Sequence, residues 1–266
     1  MSAGYARRLG SLGACLALAL WQTAGATETW YRWVDAKGVF HLQHESPGAG
    51  ILFEMVQVPD SIPWKPRPDL PAELADGSGG STQDLFKKAS QAIYLVLGRA
   101  TGGVRDEEPV VVGSAVAISE SLLLTNCHVT AAAGRDLYIG LGTTDKLVRA
   151  EIVAQNQMAD RCVVGVSEVH LHPVAGVRRY DTLEIGETVY AIGSPARLER
   201  TLSDGLLSGK RVIEDLRYLQ ITAAISRGSS GGGLFDARGN LVGITTMTLR
   251  GTQNINFAIP AEDFWK

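Results

Sequence analysis

The sequence predicts an all-β protein, and three observations support that fold class. Apolar residues make up 45% and charged residues 20% of the 266 residues, which suits a globular chain with a substantial core. From Ile93 onward, short runs rich in β-branched residues alternate with Gly, Asp and Asn, and almost no helical periodicity occurs. No repeat of fixed period is present. Many short strands separated by turn residues indicate a β-barrel or a β-sandwich. The predicted strands are 93–98, 110–118, 122–124, 137–141, 147–154, 163–169, 188–192, 218–222, 232–235, 241–246 and 254–259.

The first 26 residues have the pattern of a secretory signal peptide. They contain Arg7 and Arg8 but no acidic residue, and an apolar stretch at 9–21 follows that is too short to span a bilayer. Small residues end the segment, so we expect cleavage after Ala26 and a periplasmic or secreted protein. A lipid anchor on Cys15 is the alternative. Cleavage removes two positive charges, which changes the net charge from -3 to -5.

Residues 27–45 predict a β-hairpin, because aromatic and β-branched residues flank a turn at Asp35 to Gly38. This segment resembles a short N-terminal module of bacterial envelope proteins, which implies a partner in the cell envelope. Residues 46–82 hold six of the ten prolines and a Gly/Ser run, so they predict a linker. A short helix is expected after Ser81, and residues 83–266 remain for the main β domain.

Charge and metal-ligand patterns exclude several function classes. Lys and Arg total 25 against 28 Asp and Glu, so the chain has no basic field for nucleic acid. The cysteines form no zinc-type array, and His170 and His172 share a strand face without a third ligand. We therefore expect no metal and no cofactor.

Ser230 lies in the run Gly-Ser-Ser-Gly-Gly-Gly at 228–233, and this run is the first sign of catalytic chemistry. Glycines on both sides permit a tight turn that presents the serine beside amides able to bind an oxyanion. A flexible loop and an α/β-hydrolase elbow are the alternatives. The elbow requires a histidine after the serine, but all five histidines precede Ser230. His128, which follows a predicted strand about 100 residues upstream, fits the order His, Asp, Ser.

Several motifs together resemble the trypsin-like serine proteases of the bacterial Deg/HtrA type, over about 85–264. These motifs are Gly113-Ser-Ala-Val, Leu124-Thr-Asn-Cys-His-Val, Asp160 with its apolar strand, Ile192-Gly-Ser-Pro195, Gly228-Ser-Ser-Gly-Gly, Leu241-Val-Gly-Ile-Thr245 and Phe257-Ala-Ile-Pro260. The resemblance implies two six-stranded antiparallel β-barrels. It also implies His128 as general base, Asp160 as its orienting acid, Ser230 as nucleophile, and the amides of Gly228 and Ser230 as the oxyanion hole.

Three departures from the family pattern leave these residues in place. Gly233 replaces the usual Pro, Ser229 replaces a common Asn or Asp, and the sequence stops at Lys266, which implies a protease without a PDZ domain. Asp160 is the preferred acid because it enters an apolar strand, and Asp181 is the second choice. The other aspartates between His128 and Ser230 lie in polar, turn-like contexts at positions 136, 145, 204 and 215.

The resemblance also implies a disulfide and a specificity pocket. Cys127 adjoins His128 and Cys162 lies two residues after Asp160, so a contact between His128 and Asp160 would bring the thiols together. Two buried free thiols are the alternative. By position, Ala224 lies at the pocket base without a nearby acid, which favours small or aliphatic P1 residues. A further segment is expected to pair with the substrate backbone, namely Thr246, Met247 and Thr248.

These expectations combine into an exported serine endopeptidase that acts on polypeptides. The alternative from another class is a non-catalytic envelope-binding protein whose barrel displays the N-terminal hairpin. A third possibility is an enzyme held in a zymogen-like state by residues 27–80 or by the loops at 197–217.

Overall fold

A computed structural model of the chain describes 27–34, 40–43, 46, 48, 50–51, 54–59, 61–62, 69–74, 80–98, 110–134, 136–142, 146–194, 200–226, 228–248 and 254–264. Within these ranges the strands form three sheets, and all pairings between named strands are antiparallel. The expected signal peptide and the turn at Asp35 to Gly38 lie outside the described residues. No helix in the described ranges is long and apolar enough to cross a membrane.

The predicted N-terminal hairpin is part of a three-stranded sheet, which we call the module sheet. Its strands are β1 (Thr27–Val34), β2 (Phe40–Gln43) and β3 (Glu54–Pro59), in the order β2-β1-β3. A two-residue strand, β4 (Ser61–Ile62), follows directly. The segments 54–59 and 61–62 are thus strands within the range 46–82, for which composition predicts a linker. Prolines border these short strands rather than interrupting them, because proline is tolerated at strand ends and edges.

The expected short helix is present and begins where its capping residue predicts. It comprises α1 (Thr82–Ala89), continued by a 3-10 turn (Ser90–Ala92). Ser81 and Asp84 form a capping box, in which the Ser81 hydroxyl accepts from the Asp84 amide. Leu85 and Ala89 bury the apolar side of the helix.

Eight strands form a curled, open sheet, which we call the N-terminal sheet. Its order is β4-β10-β11-β7-β6-β5-β8-β9. The helix α2 (Cys127–Ala133) follows β7. The strands after β4 are β5 (Ile93–Gly98), β6 (Val110–Ala117), β7 (Leu122–Thr125), β8 (Tyr138–Gly140), β9 (Leu147–Arg149), β10 (Glu151–Asn156) and β11 (Arg161–Gly165).

Six strands close into the C-terminal barrel, in the order β12-β13-β14-β17-β16-β15. The long β13 is absent from the sequence prediction, because its polar residues and Gly205 and Gly209 interrupt the apolar pattern. The strands are β12 (Thr188–Gly193), β13 (Thr201–Ile213), β14 (Leu216–Ile221), β15 (Gly233–Asp236), β16 (Leu241–Thr248) and β17 (Asn256–Pro260). Two 3-10 turns accompany the barrel, Tyr180–Thr182 and Ala261–Asp263. A closed six-stranded barrel beside a curled sheet confirms the predicted double-barrel class.

The proline-rich segment contacts both halves of the molecule. Its strand β4 pairs with β10 of the N-terminal sheet. The Pro71 carbonyl accepts from the Val177 amide, and the Leu74 amide donates to Asn240 Oδ1 at 2.7 Å. Residues 61–62 and 71–74 therefore contact the two halves, although the composition of this segment alone predicts a free linker.

A single hydrophobic cluster crosses the boundary between the two halves. It contains Val116 and Leu124 from the N-terminal sheet and Ile192 and Ile244 from the C-terminal barrel. Because burial of apolar surface drives this contact, the cluster fixes the halves against each other. The helix and the turns that carry the candidate catalytic residues meet along this boundary.

Candidate active site

His128 lies in α2 rather than at a strand end. Strand β7 ends at Thr125, and Asn126 has extended backbone angles (φ -81°, ψ 148°) before the helix begins at Cys127. The alanines at 131–133 favour a helix here, whereas the apolar run before them predicts a strand. The helix presents a half-buried His128 at the boundary between the halves.

Asp160 holds His128 by three hydrogen bonds. His128 Nδ1 lies 2.9 Å from Oδ2 and 3.1 Å from Oδ1 of the Asp160 carboxylate, and the His128 amide donates to Oδ1 at 3.0 Å. From the C-terminal barrel, the Thr246 hydroxyl donates to Oδ2 at 2.8 Å. The carboxylate thus fixes the imidazole ring with its Nε2 free to face the serine, as a general base requires.

Burial and the attraction between the two side chains have opposite effects on the pKa values of His128 and Asp160. Burial lowers the pKa of His128, but the charge of Asp160 and its hydrogen bond outweigh burial and hold that pKa above its ordinary value of 6.5. Burial raises the pKa of Asp160, but the charge of His128, and hydrogen bonds from His128 and Thr246, bring it below its ordinary value of 3.8. The pair therefore favours an ionised carboxylate beside an imidazole of raised basicity.

Ser230 lies on the C-terminal barrel side, in the turn before β15. Its main-chain oxygen accepts from the Ser114 amide at 2.8 Å, which ties this turn to β6. Its hydroxyl donates to the Thr246 carbonyl at 3.1 Å, and the described hydrogen bonds include none between Ser230 and His128. Thr246 therefore touches both Asp160 and Ser230. Loose geometry between catalytic groups is common in the absence of substrate.

Two glycines of the serine turn meet conformational requirements that other residues cannot. Gly231 has φ +82°, and a Cβ there would lie 1.9 Å from the Ser114 carbonyl oxygen. Gly228 has φ +91°, and its carbonyl accepts from the Ser114 hydroxyl at 2.8 Å. Among the described hydrogen bonds, the amides of Gly228 and Ser230 donate to no protein acceptor.

Cys127 and Cys162 form a disulfide, as the sequence predicts. Their Cα atoms are 5.0 Å apart and both side chains are fully buried. The bond joins the first residue of α2 to β11, so it connects the helix that carries His128 to the strand that directly follows Asp160. Since the two cysteines are 35 positions apart in the sequence, the cross-link constrains the unfolded chain substantially.

The predicted pocket and substrate-pairing residues follow β14 or lie within β16. Ala224 is exposed, its carbonyl accepts from the Ser203 hydroxyl at 2.5 Å, and the neighbouring Ala223 carbonyl accepts from Asn256 at 2.8 Å. Asp204 follows Ser203 on β13, so strand alternation directs its side chain to the opposite face. Met247 and Thr248 lie in β16 after Thr246 and pair with β17.

The other candidates lie away from this centre. Asp181 lies 3.5 Å from Arg217, and His170 contacts the Glu120 carboxylate at 3.0 Å on an exposed surface. Among the described residues, no three His, Cys, Asp or Glu side chains converge as metal ligands. Sequence reasoning assigned Thr246 to substrate pairing only and missed its bond to Asp160. No signal in one sequence distinguishes this threonine from Thr245.

The fold and this arrangement define the class of the protein. A closed β-barrel and a curled β-sheet place a serine, a histidine and an aspartate along their boundary, which is the plan of a trypsin-fold serine hydrolase.

Comparisons with known proteins agree with that class. Residues 113–244 match the family described as trypsin-like peptidase domain. The chain is 33% identical over 194 residues to Serine protease HTRA1 of Xenopus laevis, covering 69% of this chain and 41% of that protein. It is 29% identical over 201 residues to Serine endoprotease DegS of Haemophilus influenzae, covering 68% and 58%. A solved structure titled HtrA-type protease AlgW with decapeptide matches with a TM-score of 0.60 and 26% identity, covering 70% and 65%.

The fold and these comparisons support a Deg/HtrA-like, trypsin-fold protease, in agreement with the sequence motifs. The chain spans about two fifths of the length of the HTRA1 relatives that it matches.

Proposed function

We propose that this chain is a serine endopeptidase that cleaves polypeptides in the periplasm or outside the cell, with His128, Asp160 and Ser230 as its catalytic triad. The observation that carries the proposal is the position of Thr246, which joins the two halves of the triad. Its hydroxyl donates to Asp160 and its carbonyl accepts from Ser230. These contacts support a triad assembled across the boundary between the N-terminal sheet and the C-terminal barrel.

The proposed reaction begins when His128 Nε2 takes the hydroxyl proton of Ser230. The oxygen of Ser230 attacks the scissile carbonyl, and the amides of Gly228 and Ser230 donate to the developing oxyanion. Asp160 stabilises the imidazolium, which then gives its proton to the leaving amine. Water, activated by His128, hydrolyses the acyl-enzyme and frees Ser230.

The proposed P1 preference is for small or aliphatic side chains. Ala224 and Ala223 supply no acidic group at the expected pocket base, and Asp204 belongs to the other face of β13. A lysine or arginine would therefore lie in the pocket without a counter-ion, which is costly. Substrate backbone is proposed to pair with β16 beyond Thr246, as an added strand.

A periplasmic or secreted location fits the oxidised pair Cys127–Cys162, since disulfides persist in oxidising compartments. The matched relatives include a protein named Probable periplasmic serine endoprotease DegP-like, from Hahella chejuensis. Cleavage after Ala26 and a partner of the module sheet in the cell envelope are further parts of the proposal. N-terminal sequencing of the exported protein tests the cleavage site, and residue 27 should be the first residue.

Peptide hydrolysis tests the function directly. The full-length protein and its Ser230→Ala and His128→Ala variants are compared on a peptide library with varied P1 residues. We expect cleavage after Ala, Val or Leu by the wild type and a loss of about five to six orders of magnitude in kcat for either variant. Unchanged hydrolysis in Ser230→Ala would reject the proposed nucleophile, and preferred cleavage after Arg or Lys would reject the pocket.

A further inference from the structure

Arg161 is a buried cation directly after Asp160 in the chain. It begins β11, and its relative exposure is only 6%. Arginine is seldom enclosed to this extent, because a buried guanidinium is costly unless its donors are paired. Burial lowers the pKa of Arg161, and the charge of Asp263 acts in the opposite direction. An apolar residue would fill this strand position at a lower desolvation cost. The presence of an arginine therefore suggests a specific role for its side chain.

The side chain of Arg161 crosses from one half of the molecule to the other. Its Nη1 donates to the main-chain oxygen of Asp263 at 2.8 Å. Asp263 lies in the 3-10 turn after β17, so the acceptor belongs to the C-terminal barrel. The carboxylate of Asp263 accepts from Arg217 Nε at 3.0 Å, which holds the turn against β14. The acceptor is therefore itself well fixed.

The arginine also carries an unmet hydrogen-bonding requirement. Its Nε is buried and has no hydrogen-bond partner among the described residues. A buried donor without a partner lowers stability, and such groups persist where geometry matters more than stability. The bond to Asp263 is retained despite this cost.

Asp160 needs support from its neighbours because its backbone is in the left-handed region, with φ +54°. On one side, its amide closes a turn to the Gln157 carbonyl at 3.0 Å. Asn126 Nδ2 donates to its carbonyl oxygen at 3.3 Å, which ties it to the residue before α2. On the other side, the next residue is Arg161, which is fixed to the opposite half.

We infer that Arg161 is a positioning residue, which ties the chain at Asp160 to the main chain at Asp263 and so holds the Asp160 carboxylate against His128 and the pair against Ser230. The effect on catalysis rests on the proposed function, because it requires attack by Ser230 with His128 as base. A displacement of about 1 Å between reacting groups costs up to about 100-fold in rate. One cross-boundary bond beside Asp160 is placed to prevent such a displacement.

The test compares Arg161→Met, Arg161→Lys and the control Arg149→Met in the full-length protein. Methionine fills a similar apolar volume without a donor, lysine keeps the charge and one donor, and Arg149 is an exposed arginine of the same sheet. We expect kcat to fall about tenfold or more in Arg161→Met with KM within about twofold, and an intermediate kcat in Arg161→Lys. Arg149→Met should match the wild type.

A titration of His128 by NMR, in a Ser230→Ala background, gives a readout that does not depend on activity. A loosened contact with Asp160 should move the pKa of His128 down towards its ordinary value in Arg161→Met. Simple loss of a nearby positive charge would instead move that pKa up, and a purely structural role would leave it unchanged. Either of these results, or a wild-type kcat in Arg161→Met, would overturn the inference. If the wild type itself fails to hydrolyse peptides, the proposed function fails, whereas the titration still tests the position of the pair.

Discussion

The two halves of the candidate site differ in how they hold their residues. The N-terminal sheet fixes His128 and Asp160 through side-chain bonds, with the disulfide Cys127–Cys162 between their elements. On the side of the C-terminal barrel, Ser230 is fixed through the backbone of a glycine-rich turn, which the Ser114 amide of the N-terminal sheet also holds. Proton transfer depends on the electrostatics of the His128–Asp160 pair, whereas oxyanion binding depends on the direction of the Gly228 and Ser230 amides. Substitutions in the two halves should therefore impair catalysis in different ways.

Among substitutions that leave His128 and Ser230 in place, Asp160→Asn is expected to give the largest effect on catalysis. Asparagine keeps the volume and tolerates the left-handed backbone, but it no longer stabilises the imidazolium or selects the correct tautomer of His128. We expect kcat to fall about 10⁴-fold while the free energy of unfolding changes little. Steady-state kinetics and urea unfolding measure the two quantities. Asp181→Asn is the matched control, and a comparable loss in that variant would point to the wrong acid.

Gly231→Ala should disrupt the backbone of the turn that carries Ser230. A Cβ at Gly231 would lie 1.9 Å from the Ser114 carbonyl oxygen and 2.4 Å from Thr125 Oγ1. We expect a loss of about 4 kcal/mol or more in unfolding free energy, with little activity. Gly239→Ala is the control, since Gly239 also has positive φ (+88°) but a Cβ there meets nothing within 4 Å. That control should lose only about 1 kcal/mol, and equal losses would show that backbone strain alone decides the outcome.

Removal of the disulfide should affect stability more than the chemistry. The double variant Cys127→Ala/Cys162→Ala should lose about 3 to 4 kcal/mol in unfolding free energy, from the greater freedom of the unfolded chain. The bonds from Asp160 to His128 and Thr246 remain, so we expect kcat within about tenfold of the wild type at low temperature. Urea unfolding and kinetics below the melting transition test this. A fall in kcat of a thousandfold would mean that the disulfide, rather than the Asp160 contacts, places His128.

The pH dependence is the finest probe of the His128 half. A general base must be neutral, and Asp160 holds the pKa of His128 above 6.5, so kcat/KM should rise with pH and reach half its maximum above pH 6.5. Thr246→Val removes one donor to Asp160 and, with it, part of the stabilisation of the ionised carboxylate. We expect kcat/KM to fall about threefold to tenfold in this variant. The hydroxyl of Thr245 bonds to Ser229 and Gly232 instead of Asp160. The control Thr245→Val should therefore leave the pH at half-maximum unchanged.

Much of the arrangement follows from the sequence because its residue types have few alternatives. The order of His128, Asp160 and Ser230 and the glycines around the serine predict a trypsin-like fold, and the two cysteines predict a contact between the elements of His128 and Asp160. The glycines, for example, meet a local conformational requirement that few other residues satisfy, such as the positive φ at Gly231.

The rest depends on contacts between segments that are distant in the chain. Strand β13 has a mixed polar pattern because its outer end is exposed while Leu207 is buried, so its periodicity is weak. The bond from Arg161 to Asp263 joins residues 102 positions apart, and residues 61–62 and Pro71 contact the two halves through main-chain bonds. Main-chain bonding leaves little trace in side-chain type, so composition alone predicts a linker there.

Covalent labelling tests the central claim most directly. The full-length protein is treated with a fluorophosphonate, and tandem mass spectrometry locates the adduct; the Ser230→Ala and His128→Ala variants serve as controls. An activated serine beside a base and an oxyanion hole should give one adduct per chain, on Ser230, that is absent in Ser230→Ala and strongly reduced in His128→Ala. Failure of the folded, oxidised wild type to react, or an adduct on another residue, would contradict the claim that the two halves assemble a catalytic triad.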